Sequence, residues 1–236
     1  MEILHPAPQL CLITSPRTPP TLAATLQSLT EADPTWQTAA PAAVLLDSAD
    51  PTPVAPLPPG LELHPLTVEE AARRAAHTPH QRCGASHARA LLHDLRSRRD
   101  LIVFEDDLQF TSHWYRKTEA AVAFLKKEAL PRFILALYSC HPWNTAVPLR
   151  LYEEHYPYFG AQAMFYTASV RPLIARAILD HTVENPRMIH CDLAIKAAVA
   201  SFGIPLFALT RPVVQHIGAI SHGISADFRQ SPNFEA

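Results

Sequence analysis

Leu101-Ile102-Val103-Phe104-Glu105-Asp106-Asp107 is the stretch on which the reading of this chain turns. Four apolar residues in a row suit a strand buried on both faces, the kind found in parallel sheets. Three carboxylates follow at once, where such a strand would leave the sheet. Like charges held this close repel, so the triplet calls for a compensating cation or for solvent. Ligands of open α/β sheets bind beyond the carboxyl ends of the strands. A solvated acidic turn is the bland alternative; a site for a hard divalent ion is the sharper one.

The flanking sequence repeats the pattern of strand and helix. Gln9–Thr14 (QLCLIT) and Ala42–Asp47 (AAVLLD) read as buried strands, as do Phe133–Tyr138, Gly160–Tyr166, Leu206–Leu209 and Val213–His216. Helices are expected over Thr21–Leu29, with Thr18 or Thr21 as cap, and over Val68–Ala76, Ala85–Arg98, Trp114–Leu130, Val170–Leu179 and Asp192–Ser201. On the first, Leu22, Leu26 and Leu29 share a face; on the fourth, Ala120, Phe124 and Leu125 do. The proline-rich run from Pro51 to Pro65 is expected to be an irregular surface loop. Alternation of this kind implies an α/β fold with a mostly parallel central sheet flanked by helices. Residues 1–223 are expected to form one domain, and 224–236 a mobile tail of little periodicity.

Bulk properties narrow the class without choosing a function. The chain has 236 residues, 48% hydrophobic and 18% charged, which is ordinary for a well-packed protein. A net charge of −2 creates no field that would by itself demand a nucleic acid or a membrane. Cys11, Cys83, Cys140 and Cys191 are too scattered for a zinc knuckle or a disulfide framework, which favours reduced thiols. Met1–Thr14 lacks the pattern of a secretory signal, and no apolar run is long enough to span a bilayer. A cytoplasmic protein is expected. Arg73, Arg74, Arg82, Arg89, Arg96, Arg98 and Arg99 crowd one region, as a solvated mixed-charge face would and as a binding surface also would.

Arg82-Cys83-Gly84-Ala85-Ser86-His87, a helix, and then Leu101–Asp107 resemble the Gly-Cys-x-x-Ser-His … Glu-Asp-Asp signature of glycosyltransferase family 25. That group includes lipooligosaccharide and procollagen galactosyltransferases. Here Cys83 precedes Gly84 instead of following a glycine, so the match is partial. The opening strand with Pro16 and Arg17, and the helix ending Leu26-Gln27-Ser28-Leu29, are similar to GT-A enzymes at large.

The resemblance implies a GT-A fold and transfer of a hexose from a nucleotide-sugar, UDP-linked, with inversion. By it, Asp107 ligates a metal, Glu105 meets the donor ribose or orders the loop, and Asp106 reaches either. Thr14, Pro16 and Arg17 line the nucleotide pocket, and Asp47 accepts a hydrogen bond from base or ribose. Ser86 and His87, placed in the first turns of the expected helix, support the phosphates. Gln162 meets sugar hydroxyls. Asp192 serves as base, with helix capping its plain alternative. His216 completes the metal shell, with His222 as runner-up, and an imidazole ligand favours Mn2+ over Mg2+. Tyr138, His141, Trp143 and Asn144 suggest an aromatic acceptor platform, or equally a packed loop. The acceptor is a saccharide, a protein hydroxyl or a modified DNA base. Two other classes stay open: a metal-dependent nucleotidyltransferase, for which no glycine-rich loop follows the first strand, and a non-catalytic nucleotide- or glycan-binding domain.

Overall fold

The structure is a computed structural model that describes residues 6–17, 20–52, 54, 56–128, 130–153, 158, 160–185, 190–217 and 230–235. Its strands are β1 (Gln9–Thr14), β2 (Ala42–Leu46), β3 (Leu61–His64), β4 (Leu101–Glu105), β5 (Leu108–Phe110), β6 (Ile134–Ala136), β7 (Leu149–Leu151), β8 (Ala163–Tyr166), β9 (Leu206–Leu209) and β10 (Val214–His216). The helices are α1 (Leu22–Ala32), α2 (Trp36–Ala39), α3 (Val68–Arg74), α4 (Pro79–Leu92), α5 (Trp114–Lys127), α6 (Arg171–Ile178) and α7 (Cys191–Phe202).

Eight strands form one sheet in the order β3-β2-β1-β4-β8-β6-β9-β7, and β5 pairs with β10 in a separate ribbon. The sheet is mostly parallel: only β8 and β7 run against the rest. Alternation along each strand splits the core in two. Cys11, Leu101 and Val103 face α4, α6 and α7, whereas Leu10, Leu12, Ile102 and Phe104 face α1 and α5. Both faces of β4 are therefore covered, which is why its four apolar residues run without a polar break.

Several boundaries differ from the sequence expectation, each for a physical reason. The helix expected from Ala85 begins at Pro79, because Thr78 and Gln81 form a capping box with proline in the first turn. It ends at Leu92, since Asp94 and Arg98 adopt left-handed backbone conformations. Ser86 and His87 thus sit in mid-helix, not at an N-terminus, and Arg96 is not on that helix at all. In α1, Thr21 occupies the cap position but its hydroxyl makes no capping bond, and Thr18 lies outside the described residues. Leu22, Leu26 and Leu29 are buried as the periodicity implies. On α5 Leu125 is buried as expected, with Trp114, Tyr115 and Thr118 beside it in the core, whereas Phe124 is 54% exposed and Ala120 is exposed as well. Within the proline-rich run, Leu61–His64 adds an edge strand beside β2. A strand of four residues fits between Gly60 and Pro65, at the sheet's edge where pairing is needed on one side only.

Gly84 shows how tightly α4 is docked. A Cβ there would meet the Thr182 methyl at 2.7 Å, in the π-helical turn Leu179–Val183 after α6. At the other end of the chain, residues 230–235 of the expected tail are anchored: Ser231 exchanges hydrogen bonds with Gln215, and Asn233 Nδ2 donates to Trp143 O and Thr210 O. No helix of the described residues is long and apolar enough to cross a membrane.

Candidate functional site

The carboxyl ends of β1, β2 and β4 open, with the start of β8 and of α7, onto a cleft of about 640 Å³. That volume is in the range of small-molecule sites. Of the residues singled out above for donor, metal or base, all but His222 line it: Thr14, Pro16, Arg17, Asp47, Ser86, His87, Glu105, Asp106, Asp107, Gln162, Asp192 and His216.

At its centre lies the acid loop. Thr25 pins it from α1, donating to Asp106 O at 2.8 Å and accepting from Leu108 N at 3.0 Å. Glu105 N donates to Gln162 O at 2.8 Å, and Ile217 N to Asp107 O at 2.8 Å. Pairing of β10 with β5 puts His216 opposite Leu108, beside the acids. His216 Nε2 then lies 3.0 Å from Asp107 Oδ2. Arg17 Nη1 donates to the same oxygen at 3.0 Å, while Nη2 pairs with Asp106, whose other oxygen accepts from the Thr14 hydroxyl.

Glu105, Asp107 and His216 each offer a ligand atom, all within 4.8 Å of one another. This is the one such group among the described residues, and it adds Glu105 to the expected pair. Adjacent ligands on an octahedral ion at ~2.1 Å stand roughly 3 Å apart, which the spacing of His216 Nε2 and Asp107 Oδ2 satisfies. Asp107 Oδ1 is buried with no hydrogen-bond partner, so a lone-pair site remains for a cation. Two carboxylates and an imidazole are a donor set that could hold a divalent cation. His222 lies outside the described residues.

The electrostatics of the three acids differ. Burial, and next the Asp107 charge, raise the Glu105 pKa to about 8, against a smaller lowering by His216. Burial also lifts Asp106 to about 6, opposed by Arg17 and Thr14. For Asp107, burial is outweighed by the hydrogen bond and charge of His216 and by Arg17, which together hold its pKa below the ordinary carboxylate value. His216 responds in kind: burial pulls its pKa down, but Asp107 and Glu105 raise it overall. A cation in this position would drive protons off Glu105 and His216.

Asp192 is the second residue of α7, whose cap is His190, so it is not the cap that its position suggested. Its Oδ1 accepts instead from Ala161 N at 2.8 Å and Gly160 N at 3.2 Å. Burial raises its pKa, and these two N–H groups moderate the rise. Gln162 presents a side-chain oxygen that is buried without a partner.

Three residues expected at the donor have partners within the protein. Asp47 is paired on both oxygens: Oδ1 accepts from Arg74 Nη1 and Oδ2 from Arg82 Nε, both at 2.8 Å. It holds two arginines at the rim of the cleft. Ser86 is buried and accepts from Arg74 at 3.1 Å. His87 is buried against the Tyr166 hydroxyl at 2.8 Å, and burial lowers its pKa to about 4. It is neutral at physiological pH and brings no positive charge to the cleft.

His80 and His190 escaped notice in the sequence. Their rings meet at 4.2 Å on the cleft wall and join the starts of α4 and α7. No local pattern could pair residues so distant in the chain. Of the aromatic group, Tyr138 lines the cleft, while Trp143 Nε1 donates to Ser139 and its ring packs on His141 and Tyr152 beside it. No family model matches this chain, and comparison with curated proteins found no match.

Proposed function

We propose that the chain is a metal-dependent glycosyltransferase of the GT-A type, moving a hexose from a UDP-linked donor to an acceptor hydroxyl with inversion. The reading rests on one observation above all: Glu105, Asp107 and His216 meet as a ligand set at the mouth of a cleft that also holds Asp192. The partial motif likeness to glycosyltransferase family 25 points the same way.

Glu105, Asp107 and His216 would hold Mn2+, or Mg2+, whose contribution when bound is neutralisation of charge on a departing diphosphate. Arg17 and Arg82 line the same cleft and bring fixed positive charge that a diphosphate could meet. Gln162 offers an acceptor for a sugar hydroxyl, removing an otherwise unsatisfied buried oxygen. Asp192 takes the proton of the attacking acceptor hydroxyl. Its two backbone N–H donors fix the carboxylate, and its raised pKa brings it nearer the working pH of a base. The orienting bonds come from the loop that leads into β8, so base and sugar contact share one rigid support.

The decisive assay combines thermal shift and turnover. UDP-glucose, UDP-galactose and UDP-N-acetylglucosamine are screened with and without Mn2+, and release of UDP is followed for any donor that raises the melting temperature. Binding without turnover, with Asp192→Asn making no difference, would instead mean a non-catalytic nucleotide-binding module.

A further inference from the structure

Arg17 lies three residues beyond β1, and its guanidinium reaches over the acid loop to engage Asp106 and Asp107 together. Its side chain is 15% exposed, so this is a partly desolvated contact and not a surface pair. The Asp107 oxygen that it holds is the one that His216 also approaches. Arg17 Nε meanwhile is buried with no hydrogen-bond partner. One donor of a rigid fork thus has no partner within the protein.

We propose that Arg17 is a built-in counter-ion that makes metal binding conditional on a nucleoside diphosphate. The inference rests on the metal-site reading above. A divalent ion held by Glu105, Asp107 and His216 would share Asp107 with a permanently charged guanidinium. Two cations on one carboxylate repel strongly outside bulk water. An ion arriving alone must either displace Arg17 or endure that repulsion.

A diphosphate reverses the sign of the interaction. Its oxygens take the planar arginine fork, including the idle Nε, and at the same time complete the metal shell. Arg17 and metal then stabilise the same anion instead of competing for the same acid. Asp106 does not lose its last partner when Arg17 shifts, because the Thr14 hydroxyl still donates to it. Arg17 thereby offsets part of the acid loop's charge until the ion enters with the donor. Such coupling is reciprocal, so metal must tighten diphosphate by the same factor that diphosphate tightens metal.

Calorimetric titration of the full chain tests this with Mn2+ and UDP as the probes, corrected for the Mn–UDP complex in solution. In the wild type, UDP is expected to tighten Mn2+ at least about fivefold, with an equal effect of Mn2+ on UDP. Arg17→Gln should bind Mn2+ alone about tenfold more tightly than the wild type, and the benefit of UDP should shrink accordingly. Arg17→Lys keeps the charge and should retain weak binding of Mn2+ alone. Equal Mn2+ affinity with and without UDP in the wild type overturns the proposal, as does unchanged or weaker binding of Mn2+ alone by folded Arg17→Gln. Should Arg17→Gln fail to fold, the wild-type pair of titrations decides. Absence of Mn2+ binding in every form, UDP included, overturns the metal site and this proposal together; Mn2+ binding without the coupling overturns only the latter.

Discussion

Two carboxylate clusters sit at the same end of the sheet, one after β2 and one after β4, and they solve the problem of buried charge in opposite ways. Asp47 is 4% exposed at its side chain and meets two arginines, so its oxygens are filled and the cluster carries surplus positive charge. Glu105, Asp106 and Asp107 face one guanidinium and a histidine, and Asp107 keeps a buried oxygen with no hydrogen bond. A closed ion pair is complete without a ligand. A deficit of cations leaves room for one, as the proposed function requires. The difference lies not in the residue types, since both clusters are acids with arginine, but in whether the protein supplies enough partners of its own.

Substitution tests that contrast directly. Asp107→Ala should lower turnover on the order of a thousandfold, several kcal/mol of transition-state stabilisation, and abolish the Mn2+-dependent rise in melting temperature. An unchanged Mn2+ shift in that variant would remove the site. Asp192→Asn should cost roughly 10²- to 10⁴-fold in turnover while UDP and Mn2+ still bind, as measured by steady-state kinetics and calorimetry.

Asp47→Asn should behave the other way round. It strands Arg74 and Arg82 without their anion, and is expected to destabilise the fold by roughly 2–4 kcal/mol, towards the lower end because Arg82 is 44% exposed. Denaturant unfolding reads the loss, and the Mn2+ shift should survive it. Loss of the Mn2+ shift with stability intact would show that the two clusters are one unit after all.

Titration separates core from site. The His87 pKa is about 4 in the fold against an ordinary 6.5, so the unfolded chain takes up a proton that the folded chain refuses. Stability from this source is complete above about pH 6.5 and lost as the pH falls towards 4, by about 3 kcal/mol in all. His87→Gln should flatten that acid limb in melting experiments across the same interval; an unaltered limb would place the titration elsewhere.

Glu105 has the opposite sign and the smallest expected effect. Its folded pKa of about 8 exceeds the ordinary 4.5, so the metal-free fold loses stability as the pH rises from about 4.5 towards 8. Glu105 is only half-buried, and solvent screens part of this. Glu105→Gln should therefore raise the metal-free melting temperature at pH 8 by on the order of 2–5 °C while weakening the Mn2+ shift. A lower melting temperature would mean that the carboxylate is stabilised by its surroundings and that the apparent deficit of cations is illusory.

Much of the sheet was legible because its strands are buried on both faces. Leu10–Ile13 within β1, Ala42–Leu46 and Leu206–Leu209 are unbroken apolar runs whose identity needs no partner to recognise. The short strands were not: Leu108–Phe110 and Leu149–Leu151 have three residues each, too few for a period to emerge, and exist through the pairing of distant segments. The start of α4 was readable in principle from Thr78, Pro79 and Gln81, but lay in a stretch whose histidines and arginines give no apolar stripe until Ala85.

Residue types alone nominated side chains for metal and proton chemistry, and placed the acid triplet at a strand end, because the buried run Leu101–Phe104 delivers it to the carboxyl end of β4; that Glu105 joins Asp107 and His216 came from the structure. Only the tertiary structure decided their partners. The β5–β10 ribbon brings His216 to Asp107 across 109 positions, and the turn before β8 orients Asp192 from 31 and 32 positions away. Charges in a low-dielectric cleft act over a few ångström in space, and distance along the chain says nothing about that separation.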